Sequence, residues 1–178
     1  MTFKRWIPTF LAFPIAGAIA FQTLGSFDGP LAGAAGGLLA GAIIGAGQWL
    51  ALRSGGAGRR WVAHTAGGMS AGLALAAVVT GAGTEVPDLV VGGLIAGTVV
   101  GATQSTLLAR GAATWTAVTG AGWALAWLTT SQVIVDAERG FYVFGSSGAL
   151  IVTLVTGLAL RVILVAPARP VAVAGAGA

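Results

Sequence analysis

The sequence predicts an all-α integral membrane protein with six transmembrane helices, arranged as three tandem helical hairpins with both termini in the cytoplasm. The first observation behind this prediction is composition: the 178 residues are 56% hydrophobic and 8% charged, against roughly 25% charge in soluble domains. The second is a set of apolar runs as long as a membrane helix, separated by segments of alternating charge sign. The third is an internal repeat of glycine and glutamine.

The predicted spans cover about residues 6–24, 31–52, 61–82, 89–109, 114–135 and 146–166. A helix needs about 20 apolar residues to cross the roughly 30 Å hydrocarbon core of a bilayer. Turn residues or charges separate the runs, as in GSFDGP and RSGGAGRR. We expect one transmembrane domain over residues 1–168, with hairpins at about 6–52, 61–109 and 114–166, and a short flexible cytoplasmic tail over 169–178.

The charges indicate the orientation, because cytoplasmic ends of membrane helices carry an excess of Lys and Arg. With the N-terminus inside, eight of the nine basic residues fall in cytoplasmic segments, and Arg139 is the exception. The external loops hold all five acids, which are Asp28, Glu85, Asp88, Asp136 and Glu138. An N-terminal signal peptide cleaved after Ala18-Ile19-Ala20 is an alternative, but its removal would leave five spans and would unpair the first hairpin from the internal repeat.

The second and fourth spans share a sequence pattern at a constant offset of 56 residues. The aligned positions are Gly37, Gly41, Gly45 and Gln48 in one span and Gly93, Gly97, Gly101 and Gln104 in the other. Because each unit holds two spans, the hairpins have the same orientation, which predicts a bundle of pseudo-threefold character about an axis along the membrane normal. The third copy is degenerate, since Val152, Thr156 and Ala159 stand where Gly, Gly and Gln are expected.

Each glutamine continues a glycine stripe at helical spacing, so it faces another helix. Glycine at this spacing lets two helix backbones approach closely in lipid. One hypothesis is that Gln48 and Gln104 form interhelical hydrogen bonds that set the register of the bundle. The other is that the two amides line a polar constriction or hold a polar head group.

Other candidates are single residues on the spans. His64 lies one turn after Trp61, where we expect an interfacial histidine bonded to a neighbouring helix or loop, although an intramembrane histidine can also relay protons. Trp123 and Trp127 lie deeper and either pack in the core or form a wall for an apolar ligand. The remaining tryptophans are expected in a belt at the headgroups, namely Trp6, Trp49, Trp61 and Trp115.

The residues needed for catalysis are sparse. The chain has no cysteine and one histidine, so no thiolate chemistry and no metal site are expected. GSSG at residues 145–148 is similar to the GxSG pattern of rhomboid intramembrane proteases, whose serine works with a later histidine. Here the histidine precedes Ser147 and is predicted at the opposite side of the membrane, so we expect no enzyme.

GAIIGAGQWLALR, followed by a span that begins with tryptophan, resembles uncharacterised small multi-pass bacterial membrane proteins with repeated GxxxGxxQWLxLR hairpins. The resemblance covers about residues 37–130 and implies topology and packing, with no activity or cofactor. The second copy has Ser105 and Thr106 in place of Trp49 and Leu50.

The sequence therefore predicts a non-enzymatic protein of the bacterial inner membrane, which is an accessory subunit or a binder of an apolar ligand such as a lipid, pigment or quinone. The alternative is a small transporter or channel with a polar path lined by Gln48, Gln104 and His64. The expected contacts are the lipid bilayer and either a membrane protein partner or a second copy. Nucleic acid is not expected, because the basic residues are scattered.

Overall fold

A computed structural model describes residues 3–55, 58–133 and 146–165, in which every regular element is helical. The first segment consists of α1 (Phe3–Trp6), a 3-10 turn (Ile7–Leu11) and α2 (Ala12–Leu24). The longer helices that follow are α3 (Pro30–Leu52), α4 (Arg60–Thr80), α5 (Val86–Ser105), α6 (Ala112–Val133) and α7 (Ser146–Val165). The predicted loop residues Asp136, Glu138 and Arg139 and the predicted tail 169–178 lie outside the described residues.

Within the described ranges, five segments are long and apolar enough to cross a membrane, namely Phe3–Leu24, Pro30–Leu52, Arg60–Thr80, Val86–Ser105 and Ser146–Ile163. The 22 residues of α6 do not belong to this group. Five threonines and three tryptophans lower its mean hydropathy, since neither side chain is strongly apolar. The chain is thus an all-helical protein with several helices compatible with a membrane.

Local chemistry explains where several helices begin and end. Proline occupies the first turn of α3 and of α5, where its missing N–H costs nothing. Gly81 ends α4 in the left-handed conformation, with φ of 63°. The helix α5 ends at Ser105, four residues before the predicted end, and the Ser105 and Thr106 hydroxyls there bond to carbonyls three residues earlier.

Consecutive helices pack against each other around the bundle, and α7 returns to pack on the 3-10 turn of the first segment. The described basic residues lie at one end, which we call the basic end: Lys4, Arg5, Arg53, Arg59, Arg60, Arg110 and Arg161. The opposite end, which we call the acidic end, carries Asp28, Glu85 and Asp88. The described basic and acidic residues are therefore separated along the bundle.

Two apolar clusters fill the interior. The larger contains small and medium side chains from the middle of the bundle, with Phe13, Ile44, Met69 and Trp123 as its bulkiest members. The second lies at the basic end and is dominated by indole rings. Large apolar side chains also face outward, such as Leu31 at 87% and Val162 at 67% exposure. Such an outer surface suits contact with lipid chains.

Candidate functional site

The repeated glutamines meet inside the bundle. Gln48 on α3 and Gln104 on α5 are both buried, at 8% and 1% exposure. The Gln104 Nε2 donates a hydrogen bond of 3.0 Å to Gln48 Oε1 and another of 2.8 Å to Thr65 Oγ1 on α4. One amide group of Gln104 therefore joins three helices.

Two tryptophans complete this network. The Trp61 Nε1 donates to Gln48 Oε1 at 3.0 Å, and the Trp115 Nε1 donates to Gln104 Oε1 at 3.1 Å. An indole N–H can only donate, so each glutamine must present its carbonyl oxygen to the indole. The Gln48 oxygen then accepts a second bond from the Gln104 amide. We call Gln48, Gln104, Trp61, Trp115 and Thr65 the amide network.

A third tryptophan from the first segment packs beside the network. The Trp6 Nε1 donates at 2.9 Å to the Thr153 backbone carbonyl and at 3.3 Å to Thr156 Oγ1, both on α7. Its ring centroid lies 6.4 Å from that of Trp115, which lies 6.0 Å from that of Trp61. The three indoles, which we call the tryptophan cluster, are 1–2% exposed.

The tryptophan cluster corrects the sequence interpretation of these residues. A headgroup belt was expected for Trp6, Trp61 and Trp115, whereas all three are buried and bonded to protein acceptors. Only the half-buried Trp49 keeps a surface position, with the Arg59 guanidinium 5.9 Å from its ring centroid. The sequence contains one indication of these bonds to the glutamines: Trp61 follows Gln48 by 13 residues, and Trp115 follows Gln104 by 11 residues.

The glycine stripes lie at two helix contacts within the chain. On α3, a Cβ added to Gly37 or Gly41 would lie 2.5 Å from the Met69 oxygen or 2.8 Å from the Ala66 Cα of α4. The matching stripe on α5, formed by Gly93, Gly97 and Gly101, faces α6. A Cβ on Gly97 would lie 2.8 Å from the Thr119 oxygen. No side chain larger than hydrogen fits at these positions without moving a helix.

A cavity of about 400 Å³ opens at the acidic end. Most of its wall is apolar and comes from α2, α3, α4, α5 and α6, including Phe21, Leu73, Ala77, Leu89 and Trp127. The carboxylates of Asp28 and Asp88 also line it. This volume is within the range of about 300–1,000 Å³ for small-molecule sites.

Two of the predicted site residues lie apart from both features. The His64 Nδ1 bonds at 2.8 Å to the Arg60 carbonyl of its own helix, so its partner is not the neighbouring helix or loop that we expected. Trp123 is 4% exposed in the central core, and its ring centroid lies 6.0 Å from that of Phe13. Of the two deep tryptophans, only Trp127 reaches the cavity wall.

Two arrangements that could carry chemistry are a metal site and a pair of serine and histidine. In the described residues, no group of three or more His, Asp or Glu side chains could hold a metal ion. Ser147 is the second residue of α7, at the acidic end, and lies 13 residues or about 20 Å of helix from Leu160, which packs against the tryptophan cluster. His64 lies near the start of α4 at the basic end. The serine and the histidine are therefore at opposite ends.

Fold and site together define a class, that of an all-helical protein with a buried amide network at one end and an apolar cavity at the other. Comparison with known proteins adds no family to this class: no family model matches, and neither a curated protein nor a solved structure matches the chain.

Proposed function

We propose that this chain is a non-enzymatic protein of a bacterial inner membrane that binds a small apolar or amphipathic molecule in the cavity at the acidic end. The cavity carries the proposal, because it combines a suitable volume with a mostly apolar wall and two carboxylates. A lipid, pigment or quinone with a neutral or cationic polar group has the matching chemistry. The ligand would contact Leu73 on α4 and Trp127 on α6.

The proposed topology has six spans in three hairpins, with the basic end in the cytoplasm. Its support is a regular pattern of indole donors. Trp61 of the second hairpin donates to α3 of the first, Trp115 of the third donates to α5 of the second, and Trp6 of the first donates to α7 of the third. Each hairpin thus bonds to the one before it, as a closed threefold ring requires.

The third contact of this ring uses a different acceptor. Ala159 occupies the position that glutamine holds in the other two copies, and its side chain cannot accept a hydrogen bond. Thr156, one turn earlier, supplies the side-chain oxygen for Trp6 instead. The degenerate copy therefore keeps the bond between hairpins with another residue type.

The amide network favours the binding function over a polar path through the two glutamines. A conducting path needs amides that face water, whereas Gln104 is 1% exposed and directs both of its side-chain polar atoms at protein partners. The apolar side chains of Leu52, Leu160 and Ile163 pack around the tryptophan cluster. The interior of the bundle is therefore packed at the tryptophan cluster, whereas the acidic end holds the cavity.

The test is native mass spectrometry of the full chain extracted in a mild detergent, reading the mass that remains after the detergent is removed. We expect a retained small molecule on the wild-type chain. Ala77→Phe places a phenyl ring in the cavity, and a ring of this size needs about 150 Å³ of its space. The retained mass should then be lost.

The matched control is Val78→Phe, on the next residue of the same helix. Val78 is 65% exposed and does not line the cavity, so its substitution should leave the retained mass in place. A wild-type chain that carries no small molecule, or a mass that persists in Ala77→Phe, would contradict the proposed binding site.

A further inference from the structure

A second groove lies at the basic end, between the first segment and the end of α3. Its volume is about 510 Å³, and its wall contains the cationic side chains of Lys4, Arg5 and Arg53. The rest of the wall comes from small or apolar residues and one threonine, including Gly47 and Leu50. We call this feature the basic groove.

The irregular first segment brings these cations together. Pro8 has no N–H and lies in the 3-10 turn that separates α1 from α2. Lys4 and Arg5 lie on α1, just before this turn, and line the groove beside the C-terminal end of α3. Arg53 follows the last residue of α3 and lines the same groove. In the other described helices that start at the basic end, α4 and α6, no such turn interrupts the first helical residues.

The charges in the basic groove are uncompensated. Its wall contains no acid, and the structure gives Lys4, Arg5 and Arg53 no ion pair among the residues it describes. Three like charges around one groove repel each other, so an anion in the groove would lower their energy. The Thr9 hydroxyl is not free for this anion as a donor, because it bonds to the Trp6 carbonyl.

The position of the groove points to the source of that anion. The 23 residues of α3 extend about 35 Å, slightly more than the roughly 30 Å hydrocarbon core of a bilayer, so Arg53 lies near the membrane–water boundary. Leu50, at 51% exposure, continues the groove toward the expected lipid side. Phospholipids present an anionic phosphate above apolar chains at this depth.

From these observations we infer that the basic groove is a binding site for the headgroup of an anionic phospholipid. The phosphate lies among Lys4, Arg5 and Arg53, and the acyl chains run along the surface next to Leu50. This site is separate from the cavity at the acidic end and does not depend on what that cavity holds.

The experiment is native mass spectrometry of the full chain in mild detergent, titrated with phosphatidylglycerol or with phosphatidylcholine of the same acyl chains. The wild-type chain should bind phosphatidylglycerol more tightly. A basic residue at a membrane surface contributes about fivefold to affinity for an anionic lipid. Replacing Lys4, Arg5 and Arg53 together by Gln should weaken phosphatidylglycerol binding by about a hundredfold.

The matched control removes the same net charge from the same end, away from the groove, by replacing Arg59, Arg60 and Arg161 with Gln. It should weaken phosphatidylglycerol binding by less than about fivefold in total. Equal losses in the two triple variants would show a diffuse charge effect and overturn the assignment. Equal wild-type affinity for the two lipids would overturn it without any variant.

A competition arm separates a lipid headgroup from a free phosphate. Inorganic phosphate, added to the wild-type chain with bound phosphatidylglycerol, should leave the lipid adduct in place, because it lacks the acyl chains that contact the surface near Leu50. Loss of the adduct to inorganic phosphate would show that the groove recognises the free anion, which would overturn the lipid assignment.

Discussion

Replacement of Gln104 by Leu removes the central member of the amide network at nearly constant side-chain volume. The substitution deletes three hydrogen bonds, to Gln48, Thr65 and Trp115. Gln48 keeps its bond from Trp61, and the Thr65 hydroxyl keeps its bond to the Trp61 carbonyl. The indole N–H of Trp115, at 1% exposure, loses the Gln104 oxygen as its acceptor and stays buried.

The expected change in the free energy of unfolding follows from the loss of these three hydrogen bonds. A buried donor without an acceptor costs about 1–3 kcal/mol. Each of the other two interhelical bonds contributes about 0.6 kcal/mol, the average for such bonds in membrane proteins. The free energy of unfolding of Gln104→Leu should therefore fall by about 2–4 kcal/mol.

The assay is unfolding in mild detergent micelles by titration with sodium dodecyl sulfate, followed by the intrinsic fluorescence of the six tryptophans, three of which form the tryptophan cluster. The control is Gln132→Leu, which removes an exposed amide at the acidic end of α6 and should change the free energy of unfolding by less than about 0.5 kcal/mol. An equal loss of stability in the two variants would refute the account of the network.

A double substitution tests whether the unpaired indole donor of Trp115 causes the loss of stability. In Gln104→Leu with Trp115→Phe, the unpaired indole donor no longer exists, and removing both partners of a buried bond costs less than removing one. The double variant should be more stable than the sum of the two single losses predicts, by about 1–2 kcal/mol. If the losses in free energy of unfolding of the two single variants simply add in the double variant, the bond between Gln104 and Trp115 does not contribute to stability.

Two further predictions concern helix contacts. Gly41→Ala should lower the free energy of unfolding by about 1–3 kcal/mol, because the added methyl group presses on α4, whereas Gly67→Ala, with nothing within 4 Å, should not lower it. Both are measured by the same titration, and equal effects would contradict the close contact. Trp6→Phe should lower the thermal midpoint more than Trp49→Phe, because only Trp6 donates to Thr153 and fills the buried cluster. A larger shift for Trp49→Phe would contradict the role of Trp6 in joining the first segment to α7.

Sequence patterns predicted the helices well because apolar runs of membrane length leave few other structures. They also placed the glycine stripes and the two glutamines on faces that contact other helices, since helical spacing fixes which residues share a face. They did not predict where α5 ends. At that end the Ser105 and Thr106 hydroxyls bond to backbone carbonyls, and hydropathy does not record such local hydrogen bonds.

The tryptophans show why the site was harder to predict than the fold. A tryptophan at the end of a span can face the headgroups or turn inward, and the sequence is the same in both cases. What decides is an acceptor on another helix at the right depth, such as Gln48 for Trp61. The cavity was also invisible in the sequence, because it depends on how five helices separate at the acidic end.

The glycine stripe of α3 and the amide network depend on each other through one helix contact. A Cβ on Gly45 would lie 2.9 Å from the Cβ of Thr65, so the absence of a side chain at Gly45 sets how close α3 comes to α4. Gln48 lies less than one turn further along α3, and its bond to Trp61 needs that approach. The glycines thus place the two helices within hydrogen-bonding distance, and the amide fixes their register. On α5, Gly101 and Gln104 stand at the same spacing: a Cβ on Gly101 would lie 2.9 Å from the Thr116 Cα of α6, and Gln104 accepts the hydrogen bond from Trp115.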